Sequence, residues 1–403
     1  MANRVVVTSK GIISPIGSTD DEVIHHLKNR SPVFERPDFD TETATAPVHE
    51  FNLKTYTGRY KDARYLNRGV RFAVASAMMA IKNSGLTEEQ LENAGLFSGA
   101  GPNLDISSEF PNIRNREISD KGLSALWILK FLPNTTASAI ARLAGIHGEN
   151  ITSGSACAAS FSAIGEAYRK VKDGYLDFAF AGGGDSRLNP GGILAYKKAQ
   201  ALWSGEEDPE TGYSPFGINR TGFIPGEGGA FFLLESLQSA EKRGAKILAE
   251  VCGFGASIDG YNMTAPQPDG KWAEKAVHAA LKEADTSPDK IDLISTHGTG
   301  TKLNDSMEAN LIERIFEQNR PAVIALKSWM GHLASSCGAV ELGVTLACLK
   351  NGYWPQVRNL GESCNINVNF AKEPLSFFPE SILLENFGFG GQNTVLVIKK
   401  WNN

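Results

Sequence analysis

What most constrains the fold of this sequence is an alternation. Short apolar runs of strand length trade places with amphipathic stretches of helix length along the whole chain. Strands are expected at residues 4–7, 94–99, 176–185 and 228–235, with helices at 20–28, 72–81, 138–144 and 237–243. From about residue 245 the pattern begins again, with strands at 247–252, 291–296, 322–325, 375–378 and 394–399 and helices at 273–284, 305–316 and 337–349. Strands alternating with helices pair in parallel and are buried beneath them, so the fold class is α/β. Element order repeats, which implies an internal duplication. Residues 1–244 and 245–403 are read as two halves packed as one unit, because no long polar linker separates them.

Composition narrows the function. At 403 residues the chain has ample material for a core, and its net charge of −5 offers no global attraction for nucleic acid or a membrane surface. Five scattered cysteines without C-x-x-C spacing argue against a disulfide framework or a zinc site. The N-terminal apolar run is broken by Ser9 and Lys10, and no apolar run is long enough to span a bilayer, so a cytoplasmic protein is expected.

The chemistry is expected around ITSGSACAASFSAIGEAYR, residues 151–169. Small residues from Ser153 to Ala156 precede Cys157, and Phe161, Ile164 and Ala167 then recur at helical spacing. This reads as a strand, a tight turn and a helix that begins beside the cysteine. Unpaired N–H groups and the helix dipole there favour thiolate, so the pKa of Cys157 is expected to fall toward neutrality. The bland alternative is a cysteine filling a packed junction.

Two histidines strengthen the case. His297 in DLISTHGTGTKLND and His332 in ALKSWMGHLASSCGAVE each follow a strand-like run among Gly, Ser and Thr. A cysteine with one histidine fits an acyl-transferring hydrolase. Two neutral imidazoles fit another task, donating hydrogen bonds to the enolate left when a carboxylate departs as carbon dioxide. Near the end, NFGFGGQN (386–393) is read either as a glycine hairpin or as an oxyanion hole of backbone N–H groups lined by Phe389. Three glycines at 182–184 lack the spacing of a phosphate loop and are read as a close-packed turn. Arg59, Lys61, Arg64, Arg68 and Arg71 form a basic run, either a solvated face or a dock for an acidic partner.

Together GSACAAS, HGTGTKLND, KSWMGH and NFGFGGQN resemble the β-ketoacyl-acyl carrier protein synthases of the thiolase superfamily, in the elongating type II fatty acid and polyketide group. The resemblance runs over essentially the whole chain. It implies a thiolase-like fold of duplicated βαβαβαββ halves in a layered α-β-α-β-α core. It also implies decarboxylative Claisen condensation of an acyl chain on Cys157 with malonyl-acyl carrier protein. His297 and His332 would then serve decarboxylation and the enolate, Lys327 would pair with Glu341, and the N–H groups of Cys157 and Phe389 would form the oxyanion hole, with Phe389 as gate. Thr299, Thr301 and Thr264 match positions that meet the phosphopantetheine arm. Ile106 or Asp105 would lie near the acyl pocket, and Gly390 beside the substrate.

The resemblance implies no cofactor beyond the phosphopantetheine of the carrier, and no metal. It implies acyl carrier protein as partner and a homodimer, or a heterodimer with a homologous chain-length factor. The family pattern PFD-x-x-RDGF is altered here to PFGINRTGF, with Gly217 and Thr221 replacing two aspartates while Arg220 survives. Asn262 stands where many relatives have histidine, and Phe161 would narrow or redirect the acyl channel. The altered loop leans toward secondary metabolism. A degradative thiolase would need a second cysteine in the terminal glycine motif, which has none, and a non-catalytic scaffold subunit should have lost Cys157 or the histidines.

Overall fold

A computed structural model describes residues 2–105 and 123–402, and the backbone of two short strands, Asn112–Arg114 and Glu117–Ser119. Ten strands form the framework: β1 (Val5–Ile13), β2 (Gly95–Gly99), β3 (Asn150–Ser153), β4 (Phe178–Ser186), β5 (Glu227–Ser236), β6 (Ala249–Ile258), β7 (Leu293–Ser295), β8 (Ala322–Ile324), β9 (Ser381–Gly388) and β10 (Gln392–Lys399). Their spatial order is β8-β7-β9-β10-β6-β1-β5-β4-β2-β3. Within the first five the order from the centre is first, fifth, fourth, second, third, and the last five repeat it. The two sets meet where β1 pairs antiparallel with β6, Val5 opposite Val251.

Six helices cover these strands: α1 (Arg68–Ser84), α2 (Thr135–Ala144), α3 (Ala159–Lys172), α4 (Lys271–Glu283), α5 (Lys302–Phe316) and α6 (Cys337–Asn351). Side chains alternate across a strand, and the alternation divides the core. On β5, Phe231 and Leu233 enter an outer cluster with α1 and α2, whereas Phe232 and Leu234 enter a central one with α3 and α6. On β9, Ile382 and Leu384 join that central cluster, and Leu383 points to a second outer cluster with α4 and α5. The result is five layers, α-β-α-β-α, with α3 and α6 between the sheets. That position explains why α6 is buried from Cys337 to Leu349 and has no polar face. No helix among the described residues is long and apolar enough to cross a membrane.

The glycines at 182–184 do not form the expected turn but lie inside β4. A Cβ at Gly182 would sit 2.0 Å from the Ala230 carbonyl oxygen, and one at Gly184 would sit 2.5 Å from the Ala73 nitrogen, so bare backbone lets β5 and α1 close on this strand. Gly182→Ala is therefore expected to destabilise the fold by about 1–3 kcal/mol, read as a lower midpoint in thermal or urea unfolding.

The sequence reading also missed β9. Its residues SILLENFG are buried from Ser381 to Phe387, so neither face shows the polar alternation of a half-exposed strand. The helix Pro190–Lys198 was missed as well, although Asn189 caps it through the Gly192 N–H and proline opens it.

Two alanines hold left-handed backbone. Ala156 has φ 48° and Ala334 has φ 49°; each opens a one-turn 3₁₀ segment, Ala156–Ala158 and Ala334–Ser336, that feeds a central helix, α3 or α6.

Candidate active site

Cys157 stands in the first of these turns, between β3 and α3. The terminal hairpin lies against it: a Cβ at Gly388 would be 3.1 Å from the Cys157 nitrogen, so any larger residue there would push the turn and β9 apart by a few tenths of an ångström. The hairpin reading is the one the backbone shows for NFGFGGQN. It is a hairpin with Gly390 and Gly391 at φ 81° and 73°, and it also brings the Phe389 N–H to the cysteine, where it lowers the thiol pKa.

Cys157, His297, His332, Thr264, Thr299, Thr301 and Phe389 all line one cavity of about 280 Å³. The thiol comes from the first half of the chain and both imidazoles from the second.

The electrostatics correct one expectation. The pKa of Cys157 is raised, not lowered, because burial outweighs the favourable charges of Arg187 and Lys327 and the Phe389 N–H. Both imidazoles are driven neutral. Burial, then Lys327, then His332 push His297 well below its usual range, and burial with Lys327 takes His332 to about 3. The rings meet edge to face with centroids 5.6 Å apart, and Phe223 lies over His332 at 4.6 Å. His332 Nδ1 accepts the Ala334 N–H at 3.0 Å, so in the neutral ring the proton sits on Nε2.

Lys327 Nζ is 2.5 Å from Glu341 Oε1, and Asn386 Nδ2 donates to Glu341 Oε2 at 2.9 Å. Burial pushes the Glu341 carboxyl up to about 7 against the pull of Lys327 and Asn386. Burial opposes charge on Lys327 too, but Glu341, with smaller help from Cys337 and Glu308, raises its pKa overall, and we read the pair as ionised.

The threonine loop is held from beneath by acids that the sequence reading did not single out. Asp305 accepts the N–H groups of Phe216 (2.7 Å), Thr299 (3.1 Å) and Gly300 (3.0 Å), and Glu308 accepts those of His297 (2.6 Å) and Gly298 (2.9 Å). The available signal was their spacing, eight and eleven residues after His297 on α5, one helical turn apart. Arg220 ties the altered PFGINRTGF loop to the same helix through the carbonyls of Thr301 (3.2 Å) and Lys302 (2.8 Å). Thr221 lines the cavity, and its hydroxyl accepts the Ser204 N–H. Asn262 Oδ1 accepts the N–H groups of Thr264 and Ala265, so it shapes the cavity rim.

Other expected site residues stand elsewhere. Phe161 is fully buried in the central core, where a Cβ at Gly338 would come within 2.4 Å of its ring, and it does not line the cavity that holds Cys157. Gly390 is in the hairpin turn, donating to the Met263 carbonyl, and is not part of the cavity wall. Ile106 lies outside the described residues, and Asp105 at their border. The basic run divides. Arg68 pairs with buried Glu227 and the Val48 carbonyl while its side chain stays about half exposed, Arg71 binds the carbonyls of Leu66 and Ala63, and Arg59, Lys61 and Arg64 are exposed. Among the described residues no three His, Cys, Asp or Glu side chains gather as a metal site.

Residues 2–240 match the N-terminal domain of β-ketoacyl synthases and residues 248–361 their C-terminal domain. The chain is 31% identical to 3-oxoacyl-[acyl-carrier-protein] synthase 2 of Synechocystis, over 99% of its own length and 98% of the relative's. It is 32% identical to 3-oxoacyl-[acyl-carrier-protein] synthase 1 of Haemophilus influenzae, over 99% of both. Among solved structures, a β-ketoacyl synthase from Burkholderia phymatum superposes with a TM-score of 0.90 at 27% identity, covering 99% of this chain and all of that one. The ishigamide ketosynthase/chain length factor gives 0.88 at 26%, covering all of both chains. Matched along both domains and over full length, the chain belongs to the β-ketoacyl synthase family.

Proposed function

We propose that this chain joins an acyl group held on Cys157 to a malonyl unit delivered by acyl carrier protein, releasing carbon dioxide. The observation that carries the reading is the sharing of one cavity by the thiol and two imidazoles, both neutral. In the first half-reaction the Cys157 sulfur attacks the incoming thioester, and its proton passes to the departing carrier thiolate. In the second, the carbon–carboxylate bond breaks and its electron pair moves into an enolate, toward which His297 and His332 donate N–H bonds. The α-carbon then attacks the Cys157 thioester, the N–H groups of Cys157 and Phe389 receive the oxyanion, and collapse releases the Cys157 thiolate. Neutrality matters, because an imidazolium would hold the malonyl carboxylate instead of letting it leave. Thr299, Thr301 and Thr264 would meet the phosphopantetheine arm, and no other cofactor enters. Incubation with acyl-carrier donors followed by peptide mass spectrometry should place the acyl mass on Cys157; acylation elsewhere defeats the reading.

Carrier docking falls to the exposed part of the basic run. Arg59, Arg64, Arg68 and Arg71 border one surface hollow with Lys54, and of these Arg59 and Arg64 are taken for the test because Arg68 also holds buried Glu227. The double variant Arg59→Glu, Arg64→Glu is expected to raise KM for carrier-linked malonate about tenfold or more at low salt, leaving small thioester donors unaffected. Equal effects on both donors exclude this dock. The departures at Gly217 and Thr221 favour a secondary-metabolic chain and a homologous chain-length-factor partner; full activity of a homodimer excludes that partner. The same reading places the chain in the cytoplasm, where thiols stay reduced.

A further inference from the structure

Two groups converge on Nδ1 of His332 from the chain that follows it, the Ala334 N–H at 3.0 Å and the Cys337 sulfur at 3.6 Å. Only the first has a role so far. Neutral imidazole carries one ring proton, and a ring nitrogen that accepts an N–H bond must be the bare one. Nδ1 therefore offers a lone pair, and the sulfur can meet it favourably only by donating its own proton. Cys337 is placed to do so. It is the first residue of α6, is fully buried, and lines no part of the cavity. Burial above all lifts its pKa well above the usual thiol range, which keeps the proton on sulfur. The rest of the residue is held as firmly: its backbone N–H donates to the Ile224 carbonyl at 2.7 Å, and Phe223 covers the ring. With Nδ1 engaged from behind, Nε2–H is the ring donor left for the cavity that His332 lines.

We infer that Cys337 is a positioning residue for the condensation, its thiol donating a second hydrogen bond to His332 Nδ1 and so strengthening Nε2–H as donor to the enolate. The inference rests on the reaction proposed above. A ring nitrogen that receives hydrogen bonds gives up electron density, and in a buried network the donor on the far side of the ring strengthens in turn. The thiol thus acts on the substrate through the imidazole. It also guards the ring against protonation, because a proton on Nδ1 would displace both donors at once. A cysteine that merely packs as a small hydrophobe would do neither, and its replacement would be felt only through lost volume.

The full chain is labelled with nitrogen-15 histidine, and the His332 signals among those of its seven histidines are assigned by their absence from His332→Gln. In the wild type, Nδ1 should carry no proton and lie upfield of a free imine nitrogen. Cys337→Ala should move that signal downfield and slow condensation by acyl-loaded enzyme about three- to tenfold, the worth of one hydrogen bond, with KM for malonyl carrier unchanged. Cys337→Ser, which keeps a donor, should restore both. General loosening of the core would instead raise KM, and serine would not repair it. An unchanged nitrogen signal in folded Cys337→Ala, a moved signal without loss of rate, or a serine variant that restores neither overturns the inference. If Cys337→Ala does not fold, the S–H stretch decides, taken as the Raman difference between wild type and Cys337→Ser. A band below the free-thiol frequency supports the bond, and a band at that frequency overturns it. The nitrogen signal needs no substrate. Wild-type protein that loads no acyl group on Cys157 would therefore sink the proposed reaction, whereas an unmoved signal in Cys337→Ala sinks this inference alone.

Discussion

Cys157→Ala is expected to abolish acyl loading and to cut condensation by about four orders of magnitude or more, since without the sulfur no covalent intermediate forms. The substitution removes one atom from a turn whose bend is set by Ala156 and by the packing of Gly388, so the cavity and both imidazoles should remain. No neighbouring thiol can replace it. Cys337 lies 3.6 Å from His332 Nδ1, but it is fully buried, is pushed well above the usual thiol range by that burial, and lines no part of the cavity. Intact-protein mass after incubation with an acyl-carrier donor gives the loading, and carbon dioxide release coupled to product formation gives the turnover. Undiminished condensation by a folded Cys157→Ala protein would remove the basis of the proposed reaction.

His332→Ala should separate the half-reactions. Loading onto Cys157 should survive, while condensation falls about 10²- to 10³-fold, the cost of losing one donor to a developing oxyanion. The pH dependence has a defined sign. Protonation of His332 would cost the Nδ1 acceptor of the Ala334 N–H and leave a cation to hold the departing carboxylate, and with its pKa lowered to about 3 the ring remains neutral throughout the range where the protein is assayed. The condensation rate of acyl-loaded enzyme should therefore show no acid limb near the ordinary histidine pKa of about 6.5. A rate that halves as pH falls through that value would show that a neighbour neutralises the Lys327 field and that His332 titrates normally.

Much of this was legible because chemistry and topology left separate marks. The strand–helix alternation and its restart near residue 245 reflect burial periodicity, and they pointed to a repeated element order, though not to the antiparallel pairing of β1 with β5 and β6 or of β9 with β10. Cys157, His297 and His332 were recognisable because each stands where an apolar run breaks into small residues, which is where a strand ends over a cleft. Longer-range facts were harder to read. Whether Cys157 is more acidic or less depends on how deeply the whole fold buries it, and helix position alone gave the wrong sign. That Arg68, exposed like its neighbours, also anchors buried Glu227 could not be read locally, because that partner lies 159 residues away. Phe161 fitted a channel as well as a core until Gly338, on the other central helix, closed over its ring.

The two left-handed alanines also bear on how a reactive centre arises in a doubled architecture. Holding alanine there costs on the order of 1–3 kcal/mol, and the chain bears that cost twice. The second residue of one elbow is Cys157; the second residue of the other is Ser335, whose buried hydroxyl has no hydrogen-bond partner among the described residues. Backbone tension at the nucleophile is thus not an adaptation to chemistry, since its twin carries none. It belongs to the way each half launches its innermost helix, and the repeat provided two pedestals, of which one holds the sulfur and the other, through the Ser335 N–H, holds the Asp185 carboxylate.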